Sequence, residues 1–284
     1  MVLGRLISWF KKIFYKKLVD ETKQEEQQEI VSDVIPEHKP IKKINDDLSL
    51  YFGYDYVIND KIKIHQPTIG DIVEFGEANY FSMAQTLTTI PSDMKSILFD
   101  MGIDYEEVSD FELFIMLSKS LTKDDTYLLL GDIDLSNFDV YKRTDNDEIV
   151  MYDEVNDITI DTHIYILISN HIRKMHGFKK KIEKAGNEFT KKILIQEDRD
   201  NRLINKNKEF KSILKPLISS MVNSEGFKYK LKELKDVGLC EFMDSVNRIS
   251  VIKHTESLLS GVYSGNIDQS KLKKSELNWM RELD

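Results

Sequence analysis

The spacing of apolar residues along this chain predicts mainly helices. A side-chain oxygen placed before an apolar run can accept a hydrogen bond from the free amides of a helix start. Ser92 predicts such a start for a helix from Asp93 to Met101, and Gly102 and Gly131 predict helix ends. Three further starts have the capping-box spacing, in which an acid follows three residues after the oxygen: Thr68 with Asp71, Ser109 with Glu112, and Thr122 with Asp125.

The C-terminal part of the chain repeats apolar residues at helical spacing in three stretches. One runs from Ile164 to Met175 and is closed by Gly177, and another starts at Leu239. The stretch between them, residues 210–222, contains Pro216. Because proline lacks the backbone donor and clashes with the preceding turn, that helix must begin near Pro216 or kink there.

Shorter apolar runs flanked by turn residues predict strands in two places. The fold class expected from the whole pattern is α+β and helix-dominated, with small antiparallel β elements, packed helices and a separate N-terminal amphipathic helix. The predicted strands are Leu48–Phe52, Tyr54–Ile58 and Ile62–Ile64 around an Asn59-Asp60 turn, and Phe138–Tyr141, Ile149–Tyr152 and Ile158–Ile160.

Residues 2–18 have the pattern of a cationic amphipathic helix that lies outside the main core. Five basic residues and no acid occur among the first nineteen residues. Its target is open between a membrane surface, a protein partner or second copy, and its own domain. The apolar positions, which are candidate partner-binding residues, are Leu3, Leu6, Ile7, Phe10, Ile13 and Phe14.

The composition of the remaining chain predicts its division into regions. Residues 20–46 are rich in Glu, Gln and Lys and have no aromatic residue, so we expect residues 1–46 to comprise the amphipathic helix and a disordered linker. We expect an acidic α+β region at 47–160 and a basic helical region at 161–284, which form either one domain or two. With 41% apolar residues and one cysteine in 284 residues, the chain is not a collagen-like or disulfide-stapled protein.

Charge is distributed unevenly within an overall net charge of −9. Residues 99–161 hold 18 acidic and 4 basic residues, a net of −14, whereas residues 171–235 hold 18 basic and 8 acidic residues, a net of +10. Such a dipole favours contact with a charged partner or head-to-tail contact between copies, so a homo-oligomer is one expectation. Lys179, Lys180 and Lys181 are the candidate partner-binding residues of the basic region.

The motifs that are typical of catalysis, metal binding or phosphate binding are either absent from this chain or lack a required residue. The run from Asp132 resembles a calcium loop, but Asn137 stands where glycine is needed and Arg143 where glutamate is needed. No two histidines have the i, i+4 spacing of a zinc site, and neither G-x-S-x-G nor G-K-[ST] occurs. We therefore expect no enzyme activity, no metal and no cofactor, and interpret His171 and Cys240 as core residues. Nucleic-acid binding is disfavoured because Lys outnumbers Arg in the basic region.

Five stretches of the chain are similar to stretches of known proteins: Ile62-Lys63-Ile64-His65-Gln66-Pro67-Thr68-Ile69-Gly70-Asp71-Ile72, Ile90-Pro91-Ser92-Asp93-Met94, Asp110-Phe111-Glu112-Leu113-Phe114, Gly261-Val262-Tyr263-Ser264-Gly265 and Leu277-Asn278-Trp279-Met280. Through them, residues 47–284 resemble proteins of tailed bacteriophages and prophages of Gram-positive hosts, above all tail assembly chaperones and related tail-module proteins.

The resemblance implies a non-enzymatic protein of the host cell cytoplasm. Such a protein binds the long, helical tape-measure protein, keeps it soluble, helps recruit tail-tube subunits and needs no cofactor. One alternative is a permanent virion component, such as a connector or minor tail protein, which would be located in the virion. The other is a nucleic-acid-binding phage protein.

Overall fold

The computed structural model describes residues 47–143, 146–206 and 208–283. Most of these residues are helical, and two small antiparallel sheets complete an α+β fold, as the sequence predicts. The α-helices of the described residues are α1 (Asp47–Tyr51), α2 (Ile69–Phe75), α3 (Glu77–Thr88), α4 (Lys95–Asp100), α5 (Asp110–Ser118), α6 (Lys123–Leu130), α7 (Thr162–His176), α8 (Glu188–Asn205), α9 (Leu214–Val222) and α10 (Leu239–Tyr263).

The strands form one two-stranded and one three-stranded sheet. In the larger sheet β4 lies between β3 and β5, with Met151 opposite Val140 on one side and Ile160 on the other. All three strands of this sheet were predicted from the sequence to within one residue at either end. The bounds are β1 (Tyr56–Val57), β2 (Lys63–Ile64), β3 (Asp139–Lys142), β4 (Ile149–Asp153) and β5 (Ile158–Ile160).

The chain divides into two compact units that alternate along the sequence. Of the described residues, unit 1 contains 55–65 and 79–210, and unit 2 contains 47–54, 66–78 and 211–283. The units therefore do not follow the expected regions 47–160 and 161–284. Unit 1 contains the acidic stretch 99–161 together with much of the basic stretch that follows it.

Helices begin at all three predicted capping-box positions, and the boxes at Thr68 and Ser109 are fully reciprocal. The Thr68 hydroxyl accepts a hydrogen bond from the Asp71 amide at 3.1 Å, while the Asp71 carboxylate accepts one from the Thr68 amide at 2.8 Å. Glu112 accepts from the Ser109 amide in the same way at 2.9 Å. Asp125 accepts from the Thr122 amide at 2.9 Å. These local exchanges fix the starts of α2, α5 and α6.

Two predicted elements near helix starts are wrong. Residues 48–52 form no strand: the Phe52 amide donates to the Leu48 carbonyl, and the short helix α1 ends before Gly53, which has a positive φ of 78°. A short apolar run has too few positions for its period to distinguish helix from strand. Ser92 caps no helix, since α4 begins at Lys95 after the N-cap residue Met94, and Ser92 lies in a 3₁₀ turn.

The later helices agree with their predicted ends. Gly177 takes the left-handed conformation at the end of α7, and α9 begins at Leu214, which places Pro216 in its first turn. A proline in the first turn removes a donor that has no partner within the helix. Cys240 is only half-buried beside the start of α10, so its placement in the core was wrong.

Each unit has its own interior contacts. In unit 1, α7 follows β5 directly and places Tyr165 against Phe111 and Phe114 of α5, with ring centroids 5.6 and 4.8 Å apart. In unit 2, the Ile69 amide donates to Val237 and the Leu239 amide to Pro67, which joins the starts of α2 and α10.

Two histidines on α7 are buried within unit 1. His176 donates through Nδ1 to the Ile172 carbonyl at 2.7 Å, so its Nε2 accepts the hydrogen bond from the Tyr80 hydroxyl at 2.7 Å. His171 stacks on Tyr56 at 4.2 Å, and its buried Nε2 has no hydrogen-bond partner among the described residues. Burial lowers the pKa of each imidazole to about 4. The sequence interpretation of His171 as a core residue is confirmed, although its hydrogen bonding is incomplete.

These pKa values predict that the protein loses stability in mild acid. The folded pKa of about 4 lies below the unfolded value of 6.5, so the unfolded chain binds protons more readily between these pH values. The contribution of the two histidines to the free energy of unfolding is therefore complete above pH 6.5. It falls as the pH drops towards 4, by up to about 1.4 kcal/mol per pH unit for each histidine. Urea unfolding at a series of pH values measures this slope.

The variant His171→Phe should reduce this pH slope, because it keeps the ring stack and removes one titrating group. It also removes the unpaired Nε2, so stability at pH 5 should rise. The matched control for a side-chain change on the same helix is the exposed Ile166→Val, which removes no titrating group and should leave the slope unchanged. An unchanged slope in His171→Phe would show that this imidazole does not titrate as proposed.

Candidate partner-binding surface

Helix α8 is attached to unit 1 by a charged face. Counted at about 100° per residue, Lys191, Ile195, Asp198 and Arg202 share one side of the helix. Ile195 is the only large apolar side chain of α8 that is fully buried, at 5% exposure. It joins a cluster that includes Leu98, Ile103, Tyr105, Leu113 and Leu117. The side of α8 that faces the protein is therefore mainly polar.

The start of α8 follows a local rule that the sequence analysis did not apply. Asn187 is the N-cap residue, and its side chain accepts a hydrogen bond from the Thr190 amide at 2.9 Å. The sequence analysis treated Phe189 and the neighbouring lysines only as part of a basic stretch. The asparagine before Glu188 was the signal that could have predicted this helix.

Lys191 forms the centre of the charged attachment. Its ammonium contacts the carboxylates of Asp104 and Glu106, the latter at 2.9 Å, and lies 5.6 Å from the centre of the Tyr105 ring. The hydrogen bond from Lys191 lowers the pKa of Asp104, and bonds from the Ala185 amide and Lys191 lower that of Glu106. The same contacts raise the pKa of Lys191 above its ordinary value. All three side chains thus stay ionised at neutral pH.

Asp198 caps a different helix from the one to which it belongs. Helix α4 begins after Met94, whose side chain makes no capping hydrogen bond. The Asp198 carboxylate accepts hydrogen bonds from the Ser96 amide at 2.9 Å and the Ser96 hydroxyl at 2.5 Å, and pairs with Arg202 at 2.9 Å. Burial raises the pKa of Asp198, but these contacts outweigh burial and lower it. A negative charge at this helix start satisfies free amides and the helix dipole.

The lysines expected to bind a partner lie in the segment between α7 and α8. Lys180 pairs with Asp110 at 2.5 Å, and Lys181 pairs with Glu183 at 2.5 Å. Lys179 is exposed. Two of these three candidate lysines therefore form ion pairs within unit 1.

Glu183 fixes the same segment to the turn before α4. Its carboxylate contacts Lys95 at 2.7 Å, and its amide donates to the Ser92 hydroxyl at 3.1 Å. The hydrogen bonds from Lys181 and Lys95 lower the pKa of Glu183 to about 2. Ser92, predicted to be a helix cap, instead anchors this distant segment.

The opposite side of α8 exposes four large apolar side chains, together with the hydrogen-bonded polar pair Gln196 and Asp200. Phe189 is 75% exposed, Ile193 42%, Leu203 61% and Ile204 63%. Counted at about 100° per residue, these four side chains lie within an arc of about 100° centred opposite the charged side. Helix α8 is thus oriented inversely to an ordinary surface helix, whose apolar stripe faces the core. We call this side of the helix the outer face of α8.

Other expected sites differ in how far the structure describes them. The six apolar residues predicted for partner binding in the segment 2–18 lie outside the described residues: Leu3, Leu6, Ile7, Phe10, Ile13 and Phe14. In the described part of the chain, no three His, Cys, Asp or Glu side chains are grouped to hold a metal ion. No described helix combines the length and apolar character needed to cross a membrane.

No protein-family model, curated protein or solved structure matches this chain.

The paired contacts of Lys191 predict that removing its charge loosens α8. Lys191→Gln leaves two carboxylates without their cation, and charged hydrogen bonds of this kind contribute about 1.5–3 kcal/mol. We expect the melting temperature to fall by a few degrees and amide hydrogen exchange along α8 to become faster. Thermal unfolding and exchange mass spectrometry measure the two effects.

The adjacent Lys192 provides the matched control, because it is exposed and forms no ion pair with a described residue. Lys192→Gln should change neither the melting temperature nor exchange along α8. Equal effects of the two substitutions would contradict the role assigned to Lys191.

Proposed function

We propose that this protein is a non-enzymatic tail assembly factor of a tailed bacteriophage. In this proposal it acts in the host cell cytoplasm and, like a chaperone, binds the helical tape-measure protein during tail morphogenesis. The outer face of α8 is the observation that carries the proposal, and the resemblance of residues 47–284 to tail assembly chaperones agrees with it.

The outer face of α8 suits a helical partner. Its apolar stripe extends from Phe189 to Ile204, which is about 22 Å along a helix at 1.5 Å per residue. The stripe consists of two apolar pairs, Phe189 with Ile193 and Leu203 with Ile204, which lie about 15 Å apart along the helix, and helices recognise apolar grooves or other helices through such anchor side chains. Burying each large apolar side chain contributes about 1.5–3 kcal/mol before the costs of association. Four such positions give about 6–12 kcal/mol, which is of the same order as the cost of association.

A charge placed on the outer face should weaken partner binding and leave the fold intact. We expect Phe189→Asp and Leu203→Asp each to weaken binding of the co-expressed tape-measure protein at least tenfold, because each would bury a carboxylate against an apolar surface. Co-purification followed by sedimentation measures the complex. Circular dichroism verifies that each variant is folded.

Val155 supplies the matched control in the same unit. It lies in the turn between β4 and β5 and is 90% exposed, away from α8 in the sequence. Val155→Asp should leave binding unchanged. If Phe189→Asp and Leu203→Asp also leave binding unchanged, the outer face of α8 is not the binding surface.

The location of the protein after assembly distinguishes a chaperone from a permanent virion component. A chaperone leaves the tail when assembly ends, so mass spectrometry of purified particles should detect tail proteins without stoichiometric amounts of this chain. A copy number comparable to other tail proteins would contradict the chaperone function and favour a connector or minor tail protein.

A further inference from the structure

We propose that the outer face of α8 binds a helix that carries two apolar clusters with a basic residue midway between them. The inference rests on the proposed function, in which this face binds a helical protein, and it adds the chemistry that the bound helix must have. Two features of the face carry it: the gap between the apolar pairs, and the acids that lie in this gap.

The gap between the two apolar pairs is acidic. Glu197 and Asp200 lie in it, and both side chains are exposed. Counted at about 100° per residue, Asp200 lies within the arc of the four apolar side chains, and Glu197 lies about 20° beyond Ile204. Neither acid forms an ion pair with any residue that the structure describes. A partner that covers both apolar pairs therefore also covers two negative charges.

The cations of α8 do not neutralise these acids. Arg199 pairs with Asp100, and its guanidinium also donates to the Gln196 Oε1 at 3.1 Å. Gln196 in turn donates through Nε2 to the Asp200 carboxylate at 2.8 Å, so this carboxylate has a neutral partner. Lys192 lies outside the arc, beside the first apolar pair. Because covering an unpaired carboxylate is costly, a basic residue of the partner supplies the cation that the gap lacks.

Contact with both apolar pairs fixes how the partner lies. The pairs are about 15 Å apart along α8, so a helix that touches both runs nearly along it, at a shallow crossing angle of about 20°. On a straight helix, positions i, i+4, i+11 and i+15 form two pairs within an arc of about 60° and extend about 22 Å, as the stripe on α8 does. Position i+7 falls between these pairs on the same side. A long basic side chain there lies opposite the acidic gap for either direction of the partner.

The same acids argue against the two other occupants of an apolar face. In a symmetric antiparallel pair of α8 helices, Glu197 of one copy would lie opposite Glu197 of the other, and facing like charges are unfavourable. An anionic membrane surface would likewise repel both carboxylates. A helix of another protein with a basic centre is the occupant that makes both charges favourable.

Synthetic peptides test this chemistry without the natural partner. Three labelled peptides of 20 residues share an alanine-based helix with leucine at positions 3, 7, 14 and 18, and differ only at position 10, which is arginine, alanine or glutamate. Fluorescence anisotropy measures their dissociation constants with the full-length protein and its variants. Circular dichroism verifies that the peptides are equally helical and that each variant is folded.

Two double variants have matched changes of charge. Glu197→Lys with Asp200→Lys reverses the charge of the gap. Glu154→Lys with Asp60→Lys makes the same two replacements at exposed positions of unit 1 that form no ion pair with a described residue and are distant from α8 in sequence. The second variant therefore controls for the change in net charge.

We expect the arginine peptide to bind the unmodified protein at least fivefold more tightly than the glutamate peptide, with the alanine peptide between them. This order should reverse in Glu197→Lys with Asp200→Lys and persist in the control variant. Equal affinities of the arginine and glutamate peptides, the same order in both variants, or no binding of any peptide would overturn the proposal. Binding of the arginine peptide that is unaffected by Phe189→Asp would also overturn it, because the peptide would then bind elsewhere.

Two further measurements examine the other occupants. Sedimentation of the protein alone should give the same mass for the unmodified chain and for Leu203→Asp; self-association that this substitution abolishes would overturn the proposal in favour of a second copy. Flotation with anionic vesicles should be the same for the unmodified chain and for Phe189→Asp. Flotation that is lost in Phe189→Asp would overturn the proposal in favour of a membrane.

The peptide measurements and the proposed function can fail separately. Because the tape-measure protein is absent from these measurements, peptides that do not discriminate leave its co-purification, and the loss of co-purification in Phe189→Asp, untouched. Conversely, peptides that bind in the expected order while the tape-measure protein does not co-purify would overturn only the proposed function.

Discussion

The contact of Lys191 with Asp104 and Glu106 is the interaction on which the surface of unit 1 depends. Burial of Ile195 contributes only about 1.5–3 kcal/mol, which is small compared with the entropy cost of ordering an 18-residue helix. The polar contacts therefore decide which side of α8 faces the protein. Asp198 strengthens this choice, since it supplies the cap that α4 lacks.

This attachment changes the interpretation of the uneven charge. The sequence indicates an acidic and a basic region that favour contact with another molecule. In the structure, Lys180, Lys191 and Arg199 of the basic stretch form four ion pairs with acids of the acidic stretch: Asp110, Asp104, Glu106 and Asp100. The opposite charges are thus partly used to hold α8, and the outer face of α8 carries four exposed large apolar side chains.

The predictable parts of the fold are those determined by neighbouring residues. The capping boxes, Gly177 and the larger sheet were predicted because their signals lie within a few residues of one another. The candidate surface was missed because its determinants are distant in sequence: Asp198 caps a helix that begins about 100 residues earlier, at Lys95. The ion pair of Lys180 could not be predicted because its acidic partner, Asp110, lies 70 residues away in sequence.

The most direct test of the inverted orientation of α8 compares two opposite substitutions by their effect on unfolding free energy. Asp198→Leu removes the cap of α4 and should destabilise the protein by more than about 1 kcal/mol, although it adds an apolar residue to a helix. Leu203→Asp places a charge at an exposed position and should change stability by less than about 0.5 kcal/mol. Urea unfolding of both variants at pH 7 gives the answer. If Leu203→Asp destabilises the protein and Asp198→Leu does not, the apolar side of α8 faces the core and the account is wrong.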